Sequence, residues 1–257
     1  MNTHPKRHTW MKLWLLVLIP AAALVPARLG EAVEVEQVLE AIKTAYALYQ
    51  EFQEEEITLE QATADIINAV NAAKAEILAQ INAIAAAQAR ACAEAVIISY
   101  ESIGEFTEDV TQQFANDAIA CLTEIESLLD VLVTAEEIDQ AAVDTLGFAL
   151  NALGPVALLV DAHAQFDRSA AILDLVESGN QVVIGTIVPS CWRQTLWGDD
   201  DSGQPEIQIR CKAYNNDVGF AVSYVGDPHL ETKAQAAERY AYRNTSRRIA
   251  ESVDLAL

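Results

Sequence analysis

Basic residues are scarce in this chain of 257 residues: 16 lysines and arginines face 38 aspartates and glutamates, a formal net charge of −22. Nucleic acids and anionic lipids are held by basic footprints, so this balance argues against both as partners. Histidine is scarcer still, with His163 and His229 the only two beyond the first ten residues. Neither has a glutamate three residues before it, as the Glu-x-x-His repeats of di-iron bundles require. His163 has Asp167 one helical turn on, but no recognisable motif sets a nucleophile beside it. P-loop, GxGxxG, GxSxG and HExxH patterns are absent, which removes the enzyme classes that those motifs announce. The chain also lacks a CxxC pair or any Cys/His cluster of zinc-ligand spacing. The run Asp199, Asp200, Asp201 with Gly203 lacks EF-hand spacing and a closing glutamate, and reads as a solvated hairpin loop. The expectation is a protein without catalytic residues, cofactor or metal site.

The N-terminus has the form of an export signal. Lys6, Arg7 and Lys12 precede the apolar run Leu13 to Leu24, and VPA supplies a small-residue cleavage site ending at Ala27. That run is shorter than the ~20 residues a spanning helix needs, which favours cleavage over anchoring. Export and an even number of cysteines point to disulfides in Cys92, Cys121, Cys191 and Cys211. The mature protein is expected outside the cell, with residues 28–180 as a helical bundle, 181–226 as a β meander and 227–257 as a C-terminal helix.

Helical spacing dominates the first of these regions. Val35, Val38, Ile42, Ala45, Tyr49 and Phe52 recur at three and four residue steps, and Thr58 with Gln61 forms a capping box for the next helix. From Leu59 the pattern continues without glycine or proline to about Ser102, a single helix of ~65 Å. Gly104 marks a turn, and Thr107 caps a helix with the seam Val110, Phe114, Ala118, Cys121, Ile125, Leu128 and Leu132. In an antiparallel hairpin Cys92 and Cys121 then lie within about a helical turn in height, which permits a bridge. Thr134 with Glu137 forms a second capping box. The helix after it is kinked or divided at Pro155, its pattern resumes beyond, and Gly179 reads as a C-cap.

After Gly179 the apolar period shortens. Residues 182–188, 191–197, 206–214 and 218–225 are strand-like runs separated by turn residues, hence an antiparallel meander of about four strands. Pairing 191–197 with 206–214 brings Cys191 opposite Cys211 or one residue away, with a bulge to reconcile the apolar register. Asp227 and Pro228 then start the last helix, whose Arg239, Arg243, Arg247 and Arg248 are read as pairing with the acidic bundle. The fold class expected is mainly α: a long antiparallel helical bundle with this small β element before a C-terminal helix.

Two features of such a chain bear on function. Trp192, Trp197, Tyr214, Phe220 and Tyr224 give the meander more aromatic surface than its length requires, a candidate face for a protein, glycan or membrane surface. The stretch TLGFALNALGPVALLV places Leu146, Phe148, Leu150, Leu153, Leu158 and Leu159 in an almost wholly apolar run, the candidate membrane segment. Fifteen residues from Leu146 give ~22 Å of helix, against a ~30 Å hydrocarbon core. A buried central helix is the better reading.

The segments RACAEAVIISYESI, ANDAIACLTEIESLL and VDTLGFALNALGPVALLV resemble secreted helical proteins of actinobacteria over roughly residues 80 to 165. That resemblance implies an exported, disulfide-linked helical fold and no particular activity. In architecture alone, long amphipathic helices around a small apolar β element are similar to soluble forms of α-helical pore-forming toxins, which implies a membrane-active alternative.

Overall fold

The computed structural model describes residues 35–135, 137–196 and 205–254. The expected export signal, Trp197 and the aspartate run 199–201 lie outside these residues. Residues 32–257 form one compact unit. Among the described residues the chain is mainly helical, with nine helices and one three-stranded antiparallel sheet.

Helix α1 (Val35–Gln53) buries Val35, Val38, Ile42, Ala45 and Tyr49 as its spacing requires. Helix α2 (Leu59–Ala72) opens with the Thr58–Gln61 capping box, in which Thr58 Oγ1 accepts from Gln61 N and Gln61 Oε1 accepts from Thr58 N. The expected single helix from Leu59 to Ser102 is three helices: α2, α3 (Lys74–Asn82) and α4 (Ala87–Ser99), followed by a 3₁₀ segment Tyr100–Glu105. No side-chain cap marks the starts of α3 and α4. The breaks instead keep Ala73, Ile77, Ile81, Ile84, Ala89 and Ala93 buried while both short helices pack on the central helix, which a straight ~65 Å rod would overshoot.

Helix α5 (Glu108–Val133) follows Thr107, and its buried stripe is Ala115, Ala118, Cys121, Leu122, Ile125 and Leu129. Ala118, Cys121 and Ile125 of the expected seam are buried, but at its ends the stripe moves one position on: Val110 is exposed, and Phe114, Leu128 and Leu132 are half-buried flanks. Cys92 and Cys121 form a disulfide that joins α4 to α5. The expected Thr134–Glu137 capping box is not used. Thr134 Oγ1 donates to Val131 O at the end of α5, and the next helix starts where Asp139 Oδ1 accepts from Ala141 N and Ala142 N.

That helix, α6 (Gln140–His163), is the centre of the molecule, buried continuously from Val143 to Asp161 except Thr145. Pro155 sits inside it without dividing it. Gly154 is needed for close approach, because a Cβ there would overlap the hydroxyl of Tyr46 on α1. Leu146, Phe148, Leu150, Leu153, Leu158 and Leu159 are all core residues. The helix is long and apolar enough to cross a membrane, yet 94% of its most apolar window is buried inside the protein.

Helix α7 (Ser169–Thr186) overrides two expectations. Gly179 is no cap but a buried mid-helix residue, and residues 182–186 of the expected first strand continue the helix. Ile172, Val176, Val183 and Ile187 are buried at helical spacing, and tertiary burial on α5 and α6 outweighs the β preference of a Val-Val-Ile run. The sheet therefore has three strands, β1 (Ser190–Leu196), β2 (Glu206–Lys212) and β3 (Val218–Tyr224), in that order. Cys191 pairs directly with Cys211, and Leu196 with Glu206, so no bulge is present. The Cys191–Cys211 disulfide crosses this pair.

The expected last helix is two. Asp227 Oδ1 accepts from His229 N before α8 (Leu230–Ala241), and a turn at Thr245 leads to α9 (Ser246–Asp254). α8 closes one face of the sheet so tightly that a Cβ on Gly219 would overlap the backbone carbonyl of Ala237. Helix α9 packs on α6, α7 and α1, and Arg248 reaches Glu36 on α1.

Candidate binding face

Strand alternation divides the sheet into two chemically different faces. The register stacks Cys191, Cys211 and Gly219 in one row, Arg193, Ile209 and Ala221 in the next, and Thr195, Ile207 and Ser223 in a third. This is the face under α8, where Ile209 and Cys211 pack against Ala237 and Ala241. At its margin the Arg193 guanidinium donates to both carboxylate oxygens of Glu231, at 2.9 and 2.8 Å.

The opposite rows are Trp192, Arg210 and Phe220; Gln194, Gln208 and Val222; and Leu196, Glu206 and Tyr224. Here the large rings stay in solvent: Trp192 is 44%, Phe220 53% and Tyr224 45% exposed. The Arg210 guanidinium lies 5.9 Å from the Trp192 ring centre, a cation–π contact. Beside it, Gln208 Nε2 donates to Glu206 Oε1. Exposed rings forgo the free energy that a core position would recover, which makes several on one face a candidate contact surface.

Of the five aromatics expected on this face, the structure brings three together. Tyr214 follows the end of β2 and turns to the bundle, where its hydroxyl donates to Asp144 Oδ2 at 2.5 Å. Asp144 Oδ1 accepts from Ser246 N and Ser246 Oγ at 2.6 and 2.7 Å, so one buried carboxylate joins the sheet, α6 and the start of α9. Burial pushes the Asp144 carboxyl up from its ordinary value, while the bonds from Tyr214 and Ser246 pull it back. The sequence-based reading missed this joint and also missed Arg210. Arg210 shares its outer face with Trp192 only through a register that the unbulged pairing fixes.

The two described histidines lie in different surroundings, His163 half-buried and His229 exposed. His163 Nε2 lies 2.6 Å from Thr63 Oγ1, whose hydroxyl donates to Leu59 O, so the imidazole N–H is the donor. Burial holds its pKa below the ordinary histidine value, with the nearby Glu60 carboxylate opposing that. His229 is exposed at the start of α8. Among the described residues no group of three His, Cys, Asp or Glu side chains is arranged to hold a metal ion. A cleft between α4 and α5 beside the Cys92–Cys121 disulfide is bordered by Val96, Phe114, Asp117 and Glu124. Its two acids have no cation between them to give it a directional anchor for an anionic ligand.

The C-terminal arginines are mostly neutralised by the chain itself: Arg243 by Asp217, Arg247 by Glu238 and Glu251, and Arg248 by Glu36. Comparison of the chain with protein-family models, curated proteins and solved structures finds no match.

Proposed function

We propose that the chain is a secreted, non-enzymatic protein that binds a partner through the outer face of its β sheet. Two disulfides suit an oxidising compartment and hold the helical and sheet parts separately. The observation that carries the reading is the row Trp192, Arg210, Phe220, with Tyr224 on the same face, left open while α8 packs on the reverse face of β2 and β3. A sheet that needed its aromatics for stability would turn them under the helix.

The test uses the triple variant Trp192→Ala, Phe220→Ala, Tyr224→Ala, screened beside the wild type on immobilised glycans, peptides and vesicles. Three rings outside the core, at up to about 0.5 kcal/mol each, lower the unfolding temperature by no more than about 3–6 °C. A contact surface requires that the wild type be retained on a probe that the variant does not hold. A folded variant retained as the wild type is, or a variant whose stability collapses, would refute the proposal.

A membrane-active role is the second reading, favoured by the length and apolarity of α6. It requires α6 to leave the core and expose every side chain packed on it. Dye release from vesicles by the disulfide-intact protein, abolished by a charge at Leu153, is the result that would support it.

A further inference from the structure

We propose that the outer sheet face recognises a carboxylate-bearing polysaccharide, a chain of uronic acid units whose sugar rings stack on Trp192 and Phe220 while its carboxylates meet Arg210 and Lys212. This rests on the reading of that face as the binding surface and names its ligand class.

Charge is the first ground. Residues 28–189 hold five basic and 28 acidic residues, net −23, whereas residues 190–257 hold eight and ten, net −2. The positive charge of the protein is thus concentrated around the sheet and the helices that follow it. Most of it is answered internally: Arg193, Lys233, Arg243, Arg247 and Arg248 all sit in ion pairs. Arg239, on α8, is in none, and neither are Arg210 and Lys212. They lie two residues apart on β2, hence on the same face, both exposed, and neither has a carboxylate partner among the described residues. Glu206, the acid on that face, is four residues from Arg210, ~13 Å along the strand, and already accepts from Gln208. Two unanswered cations in a chain of net charge −22 favour an anionic occupant at this spot and few others.

Shape and hydrogen-bonding capacity decide which anion. Trp192 and Phe220 flank Arg210 in register, each one strand away at ~4.8 Å spacing, and Tyr224 lies ~13 Å farther along β3 than Phe220. These anchors suit an extended ligand with repeated flat surfaces. An extended peptide is recognised by a sheet at its edge, through backbone hydrogen bonds, and a face supplies none of those. Single-stranded nucleic acid also stacks on aromatics of a sheet, but it relies on a basic groove that tracks its backbone, and among the described residues this face offers two cations. A uronate chain presents apolar ring faces, one carboxylate on each ring and many hydroxyls. Gln194 and Gln208 hold the row between the aromatics, and each amide both donates to and accepts from hydroxyls.

The test titrates the full disulfide-intact protein, followed by tryptophan fluorescence and calorimetry, with four probes: oligogalacturonate, its fully methyl-esterified form, a neutral β-glucan oligosaccharide and a single-stranded oligodeoxynucleotide. The proposal expects oligogalacturonate to bind and the ester, with the same rings but no charge, to bind about tenfold more weakly, the size of one charge-assisted contact. Trp192→Ala should weaken binding about tenfold or more, as loss of a stacking platform does. Arg210→Gln and Lys212→Gln together should bring acid and ester to near-equal affinity while leaving the unfolding temperature unchanged. Equal binding of acid and ester by the wild type would overturn the ligand class and leave the binding face standing. Tighter binding of the oligodeoxynucleotide would reassign the face to nucleic acid. Binding that Trp192→Ala does not alter would overturn both the class and the face, and failure of all four probes would overturn the uronate assignment alone.

Discussion

Tyr46 and Gly154 offer the sharpest test of how this core is built. The Tyr46 hydroxyl is buried, finds no hydrogen-bond partner, and occupies the space that a side chain at 154 would need. Burial pushes its ionisation far above the ordinary range, so it is a neutral hydroxyl. Gly154→Ala removes a helix-interior glycine, a gain of about 1 kcal/mol, but forces overlap with that hydroxyl, which as overpacking costs about 1–3 kcal/mol. It also adds a Cβ before Pro155, where the helical conformation is already disfavoured. A net loss of about 2 kcal/mol, or roughly 6 °C in Tm for a chain of this size, is expected. Tyr46→Phe deletes an unsatisfied buried hydroxyl and should stabilise by about 1 kcal/mol. In that background the nearest atoms to a new Cβ are the ring Cζ at 3.0 Å and Val176 Cγ2 at 3.1 Å, which need to give only a few tenths of an ångström. Gly154→Ala should then be close to neutral, for a coupling of about 2 kcal/mol in the double-mutant cycle. Urea unfolding of the four proteins, disulfides intact, measures it. Additive effects within about 0.5 kcal/mol, or a Tyr46→Phe variant less stable than wild type, would refute the reasoning.

The Asn151 amide donates to Gly147 O and to Asn180 Oδ1, leaving Asn151 Oδ1 and Asn180 Nδ2 unpaired in the core. Asn180→Leu alone should cost about 2 kcal/mol or more in denaturant unfolding, and the Asn151→Leu, Asn180→Leu pair should be near neutral or stabilising. Serine at both Cys92 and Cys121, which lie 29 residues apart, releases a loop whose closure is worth about 3.5 kcal/mol, readable as a lower urea midpoint with an unchanged sheet disulfide. The His163 pKa is lowered in the folded protein, so the unfolded chain takes up the proton first. Its contribution to stability is present above the ordinary histidine pKa of ~6.5 and is lost as pH falls from there through the folded value; His163→Gln should flatten that part of the stability profile. Asp144→Ala leaves the Tyr214 hydroxyl and the Ser246 N–H without their acceptor, and should cost about 3 kcal/mol and loosen the sheet in hydrogen exchange.

Much of this was legible in the sequence because it depends on short-range chemistry. The capping box at Thr58 and the seam of α1 follow from side-chain spacing over a few residues, and the closeness of Cys191 to Cys211, 20 residues apart, from pairing two strand-like runs, with the register left open by one residue. So did the burial of TLGFALNALGPVALLV, whose apolar side chains lie all round the helix and leave no polar side for solvent. The breaks between α2, α3 and α4 were not legible, since alanine-rich sequence with no glycine or proline supports helix throughout and only the dimensions of the core stop it. Val182 to Ile184 illustrates the same limit, a β-prone run made helical by the helices it packs on.

The sequence by itself determined the acidity, the helical majority, the presence of a small aromatic sheet and an apolar central segment, because composition and period act locally. Tertiary structure alone decided which aromatics share a face. Tyr214 is drawn to the buried Asp144 carboxylate, which needs a donor, whereas Trp192, Phe220 and Tyr224 stay in solvent on the face opposite the one where α8 packs on β2 and β3. Arg210 joins them through strand register, a relation between residues 18 and ten positions away that no local pattern encodes.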